Sequence, residues 1–238
     1  VSYSNDGFFM ENTANAPLVG EKLNAVMRGV YGWMTMGLLV TAFVSLLLST
    51  SGFVPSSGMF FVAIILQFGI VIGIGWAINK ISATVAGLLF FVYAAVTGMT
   101  FSVIFMVYTP ASIMSAFITT AAVFGAMTLV GLTTKMDLSK YSTYFMMALI
   151  GLVIAMVVNI FLQSSGLEFI ISIAGVLIFT ALTAYDTQRI SQMASDPHLQ
   201  VNSEDTIKFS VLAALTLYLD FINLFLFMLQ LFGGGGRD

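Results

Sequence analysis

Three long stretches of this chain hold no ionisable residue. No Asp, Glu, Lys or Arg occurs between Arg28 and Lys80, between Lys80 and Lys135, or between Lys140 and Glu168. A helix that crosses a bilayer needs about 20 consecutive apolar residues. Each stretch is therefore long enough for one or two crossings. The whole chain has the same character, with 59% hydrophobic and 8% charged residues, against about 25% charged in soluble domains. An all-α membrane protein follows, because only helices and closed barrels satisfy their backbone in lipid.

Breaks at Pro, Gly, Ser and charge divide the chain into seven apolar runs. They lie at about 29–49, 59–78, 82–108, 111–133, 144–162, 168–187 and 207–232. A polar connection of about 20 residues, Gln188 to Thr206, separates the last two. Residues 1–24 are polar and read as a flexible cytoplasmic tail, 25–233 as the seven-helix domain, and 234–238 as a short C-terminal tail. The start lacks the basic-then-apolar pattern of a signal peptide.

Seven of the eight basic residues are Lys22, Arg28, Lys80, Lys135, Lys140, Arg189 and Lys208. All seven fall before the first run or after the second, fourth and sixth. The positive-inside rule puts those ends, and the N-terminus, in the cytoplasm. Small residues recur at four-residue spacing in the second run (Gly69, Gly73, Ala77), a pattern that suits close helix contact. In the sixth run Ala174, Ile178 and Leu182, beside Gly175, recur at the same four-residue spacing.

Against this background two carboxylates stand out. Asp220 lies in LTLYLDFINLFLFMLQLF, the only charge between Lys208 and Arg237. An acid at a helix centre costs roughly 2.5–3.5 kcal/mol on insertion scales. At 100° per residue, Thr216, Asp220, Asn223, Phe227 and Gln230 share an arc of about 80°. That stripe must face protein or a water-filled path; packing alone would account for Asn and Gln, and the ionisable Asp points to function. Asp186 closes the apolar run from Phe169 to Tyr185. Alone it reads equally well as an interfacial acid paired with Arg189 at i,i+3, although a helix C-terminus disfavours an anion. Thr183 and Thr187 flank it. For the two acids to meet, Asp186 must lie deeper than this boundary, or the seventh helix must begin later than Ile207, because Asp220 lies about 20 Å into that helix.

Several chemistries are excluded. The chain has no cysteine and one histidine, His198, in a polar loop. Thiolate and histidine metal sites and cysteine nucleophiles are absent. The lysines lie at helix ends or in polar segments, whereas a retinal Schiff base would need one deep within a helix. No enzyme activity is expected; an intramembrane aspartyl protease is the nearest enzymatic alternative. No tightly bound cofactor and no nucleic-acid partner are expected.

The strings AYDTQ (Ala184 to Gln188) and LYLDFINLFL (Leu217 to Leu226) resemble the transmembrane Bax inhibitor-one motif family. INK before the third run, the loop from Thr133 to Ser139 and FGG near the end add to the likeness, which extends from the first run to the tail. Among bacterial members the chain looks most like an inner-membrane branch. The resemblance implies seven helices with the last one central, surrounded by the other six, in a bacterial inner membrane. It implies a pH-sensitive calcium leak gated by an aspartate pair that matches Asp186 and Asp220, with calcium and protons as partners alongside lipid. Thr183, Thr216 and Asn223 are the supporting oxygens. Two carboxylates in a poorly solvated site cannot both ionise easily and titrate as a unit. A shared proton would hold their helices together; its loss would leave charges that repel and attract a cation. Calcium prefers six to eight oxygen ligands, so such a site would bind it transiently.

The chain also departs from the family. Gln67 stands where some members have an acid. Ala77, Ile78 and Asn79 replace an arginine cluster, and Gln230 replaces a frequent basic residue. Lys80 is the one nearby candidate for a basic latch on the pair, or a plain interfacial lysine. An alternative function follows from a bacterial branch associated with modulating a membrane-bound AAA protease. There the pair would be structural and the N-terminal tail the contact.

Overall fold

The structure is a computed structural model that describes the backbone of residues 6–195 and 203–233, with side chains from Gly20 onward. His198, Arg237 and the C-terminal tail lie outside the described residues, as do the side chains of most of the N-terminal tail. Eight α-helices and one short 3-10 helix (Leu138–Tyr141) are present among the described residues, with no strand: α1 (Asp6–Thr50), α2 (Ser57–Ala77), α3 (Ala83–Phe101), α4 (Ile104–Val107), α5 (Pro110–Thr133), α6 (Ser142–Leu162), α7 (Ser165–Ala194) and α8 (Glu204–Gly233). The backbone of α1 thus reaches back into the stretch read from sequence as a tail. Seven spans are long and apolar enough to cross a membrane, with α3 and α4 together forming the third.

Local chemistry sets most helix starts. Ser56, Ser82, Thr109 and Ser164 each accept a hydrogen bond from the backbone N–H three residues on, and Pro110 occupies the first turn of α5. These are the side chains that satisfy orphan N–H groups at an N-cap, and proline has none to satisfy. The α6 helix ends at Gln163, whose φ of 48° turns the chain, while Asn159 Oδ1 accepts from Ser164 N.

Two boundaries differ from the sequence reading. The run 82–108 is interrupted at Ser102 and Val103, where the Ser102 N–H is shared between Gly98 O and Met99 O. No Pro or Gly marks this break. The sixth span does not stop at Thr187; α7 continues to Ala194, so the polar connection shortens to the residues between Ala194 and Glu204. Its extension keeps a helical face, with Ile190 and Ala194 buried and Arg189 exposed.

The last helix is central. In α8, 72% of the apolar window is buried, against 6–39% in the other spans. It packs directly on α1, α3, α5 and α7. The remaining two spans form an outer layer: α2 rests chiefly on α3, and α6 chiefly on α7. The small residues of α2 do not serve close packing as expected. A Cβ added at Gly69 or Gly73 would meet nothing within 4 Å, because α3 approaches a different face of the helix, the one bearing buried Ile70 and Ile74. Close approach occurs at other glycines. A Cβ on Gly175 of α7 would lie 2.5 Å from the Phe227 ring, and one on Gly131 of α5 2.5 Å from Ala184 O.

Candidate functional site

The α7–α8 seam is antiparallel and built from the polar stripe of α8. Gln230 Oε1 accepts from Ser172 Oγ at 2.8 Å. Phe227 lies against Gly175 and stacks on Phe179, with ring centroids 5.9 Å apart. Further along the same seam, the carboxyl groups of Asp220 and Asp186 come close enough to interact. On α7 the seam positions are Ser172, Gly175, Phe179 and Asp186, recurring every three, four and seven residues. One side of each helix therefore faces the other along the seam.

This register removes the depth mismatch. Asp186 is eight residues from the end of α7, about 12 Å, rather than at its end. Asp220 is 16 residues into α8, which continues about two turns further past the pair than α7 does.

The pair is enclosed. Asp220 is 5% exposed, and Asp186 is half-buried. Asp220 Oδ2 has no hydrogen-bond partner among the described residues. The Arg189 guanidinium acts on Asp186 electrostatically without closing to an ion pair. The ion pairs found among the described residues join Lys208 to Glu204 and Asp205, at 3.3 and 3.9 Å. Two carboxyls in contact can hold one proton between them; stripped of it, they present two adjacent anions in a site with little water.

The other expected residues go elsewhere. Thr183 is fully buried beside the pair in sequence, and its hydroxyl donates to Phe179 O at 2.7 Å. Thr216 donates to Leu212 O, and the Asn223 amide donates to Leu219 O at 2.8 Å. Asn223 also lines a cavity of about 580 Å³ between α2, α3 and α8, with Gln67, Tyr93, Thr97 and Thr100. Gln67 Nε2 donates to Thr100 Oγ1 there at 3.3 Å. Lys80 is exposed, and its ammonium sits over the Trp76 ring, 4.7 Å from the centroid.

Three features escaped the sequence reading. First, Gln188 ties the end of the motif to the loop between α5 and α6: Oε1 accepts from Leu138 N at 2.8 Å, and Nε2 donates to Met136 O at 2.7 Å. Second, the hydroxyls of Tyr31, Thr128 and Thr187 converge from α1, α5 and α7, close enough to interact but without a well-formed hydrogen bond. Third, Tyr218 is fully buried, with its hydroxyl 2.6 Å from Thr41 Oγ1 and its ring edge-on to Phe90 and Tyr93. The AYDTQ segment thus has a separate contact at nearly every position: Ala184 against Gly131, Asp186 against Asp220, Thr187 against the hydroxyl cluster and Gln188 on the loop. The run of polar side chains from Asp186 to Gln188 carried no indication of which partner each would find.

The profile of the family described as "Inhibitor of apoptosis-promoting Bax1" matches residues 23–237. The inner membrane protein YbhL of Escherichia coli K12 is 48% identical over 219 residues, covering 89% of this chain and 92% of YbhL. A protein of Borreliella burgdorferi is 47% identical over 220 residues, covering 90% of this chain and 94% of its own length. The protein YrjE of Lactococcus lactis is 38% identical over 225 residues, with 91% and 94% covered.

Proposed function

The chain belongs to the family of inhibitors of apoptosis-promoting Bax1, and from that premise we propose that it is a pH-sensitive calcium leak whose gate is the Asp186–Asp220 pair. The observation that carries this reading is the contact of two carboxyls from different helices at the core of a membrane-spanning bundle. Packing does not require it: apolar side chains at both positions would close the same seam without the cost of buried acids.

The mechanism follows from charge. With one proton shared, the pair joins α7 to α8 and carries less charge. Losing that proton leaves two anions whose repulsion strains the seam and whose field attracts a divalent cation. Calcium would find two carboxylates at this point and complete its shell with hydroxyl or carbonyl oxygens and water, a transient site. The 580 Å³ cavity that holds Asn223, Gln67, Thr97 and Thr100 is the outer approach in this reading. The hydroxyls of Tyr31, Thr128 and Thr187 are the cytoplasmic exit. The lysines and arginines of the short connections orient the N-terminus to the cytoplasm, and the likeness to an inner membrane protein supports a place in the bacterial inner membrane. Lys80, held over Trp76, is assigned to the interface rather than to a latch.

The test is calcium flux into liposomes carrying the full chain, at two pH values about two units apart. Deprotonation opens the pair, so wild-type flux rises with pH. Asp220→Asn and Asp186→Asn each remove one of the two charges and are expected to flatten that rise at least about tenfold, equivalent to about 1.4 kcal/mol. If both variants keep the wild-type flux and its pH response, the pair is not the gate.

A further inference from the structure

Helix α2 rests on α3 and scarcely touches α8. The space it leaves is the cavity of about 580 Å³ lined by α2, α3, α4 and α8. The polar side chains of this cavity share one property: each already has a hydrogen committed to protein. Asn223 Nδ2 donates to Leu219 O at 2.8 Å, and Gln67 Nε2 donates to Thr100 Oγ1 at 3.3 Å. Thr97 Oγ1 donates to Tyr93 O, and Thr100 Oγ1 donates to Thr97 O. The Tyr93 hydroxyl lies close enough to Thr97 to interact. What remains is oxygen. No donor among the described residues reaches Asn223 Oδ1 or Gln67 Oε1, and neither atom is sealed inside the protein. An amide tied to protein by its nitrogen turns its oxygen the other way, here toward the space that both residues line.

A cavity with spare acceptors takes what donates hydrogen bonds or carries positive charge. The acyl chains and ester groups of lipid do neither. An anion would meet amide oxygens with no basic side chain in the lining to offset them. Water and hydrated metal ions fit. At roughly 30 Å³ per water, a cation with a shell of six takes up about 180 Å³, well within the space. The oxygens are too few to replace the six to eight ligands that a calcium-like ion prefers. The ion therefore keeps its water, and the amide oxygens accept from that water. Asn223 lies three residues beyond Asp220 on the same stripe of α8, about 4.5 Å along the axis. The hydrated ion thus stands about one turn of helix from the buried acid.

We propose that this cavity is a binding site for one hydrated metal cation, held through its water shell by Asn223 Oδ1 and Gln67 Oε1. That the ion is calcium on its way to the carboxyl pair rests on the function proposed above. That the cavity takes a hydrated cation does not.

The experiment is equilibrium dialysis of the full-length protein, in a neutral detergent, against hexaamminecobalt(III). The ammine ligands of this octahedral cation do not exchange, so it binds only by donating N–H bonds. Wild type is expected to bind one complex per chain and not to bind hexacyanocobaltate(III), an octahedral anion. Asn223→Leu and Gln67→Leu are each expected to weaken binding several-fold. Gln67→Glu puts negative charge at the same oxygen and is expected to strengthen it several-fold, which a purely structural role would not do. Gln230→Leu removes an amide whose oxygen already accepts from Ser172, and is expected to bind as wild type does. The Asp186→Asn, Asp220→Asn double variant is expected to keep the site. No bound cation in wild type, equal binding of the anion, or undiminished binding in both Asn223→Leu and Gln67→Leu overturns the proposal and leaves the gate untouched. Loss of binding in the double variant with full binding in Asn223→Leu moves the cation to the pair and overturns it too. Binding as expected, beside an unchanged pH response of flux in the Asp variants, keeps the site and overturns the gate.

Discussion

Helices α6 and α8 invert the rule that governs soluble proteins. The α6 span has the highest mean hydropathy of the seven, 2.7, and the least burial, 6%. The α8 span has a mean hydropathy of 2.0 and the most burial, 72%. In water the most apolar helix would be the core. In a bilayer lipid tails are as apolar as leucine, so apolarity gives a helix no reason to go inside. Polar atoms and close-fitting surfaces do. The α8 helix brings Asp220, Asn223, Gln230, Thr216 and the Tyr218 hydroxyl, each of which needs a partner that lipid cannot supply. By contrast α6 has a single buried residue, Leu152, and is attached chiefly through α7.

Matched substitutions on the two sides test this contrast. The largest difference is expected at glycines. Gly175→Leu drives a side chain into the Phe227 ring, which is 4% exposed and stacked on Phe179. Overpacking of this kind costs about 3 kcal/mol. Gly151→Leu on α6 has nothing within 4 Å to meet, and its cost should stay within about 0.5 kcal/mol. Thermal unfolding in detergent reads both. Equal losses would mean that α6 is packed against something on its open face, and would break the comparison.

A smaller difference is expected at tyrosines. Tyr218→Phe removes the hydroxyl 2.6 Å from Thr41, at a cost of about 1 kcal/mol, softened because Thr41 is also within reach of Ala94 O. Tyr144→Phe on α6, where the residue is 66% exposed, should change the same unfolding midpoint negligibly. The smallest effect is at the far end of the seam. Gln230→Leu removes the bond to Ser172 and should cost about 0.6 kcal/mol, the mean for interhelical hydrogen bonds measured in a membrane bundle. A larger loss would show the seam acting as one unit. That would be visible in the Gln230→Leu, Asp220→Asn double variant as non-additivity.

The same contrast explains what could be read in advance. Seven spans follow from the charge-free runs and the breaks between them, and the central place of the last helix follows from the family likeness. Asp220 announced itself by residue chemistry, because no other charge lies between Lys208 and Arg237. Asp186 did not. Hydropathy falls at Asp186 and Arg189, and a fall in hydropathy reads as a helix end, whereas α7 carries on without a break to Ala194. The buried face of Ile190 and Ala194 was the available signal. The break at Ser102 had no signal of its own, since neither residue there is a helix breaker. The glycines of α2 show the opposite failure: a pattern suited to contact was present, but the contact was not. Spacing states what a surface permits, and only the neighbouring helix decides whether it is used.

Gln188 has a mechanical consequence. Both ends of its amide are committed, one to the backbone of Met136 and one to that of Leu138. The loop between α5 and α6 is therefore fastened to α7 two residues from Asp186 and travels with it. Any shift of Asp186 drags that loop along. By reciprocity, whatever grips the loop from outside the membrane loads the carboxyl pair by the same coupling. The buried acids have a handle on the polar surface, within reach of Lys135 and Lys140.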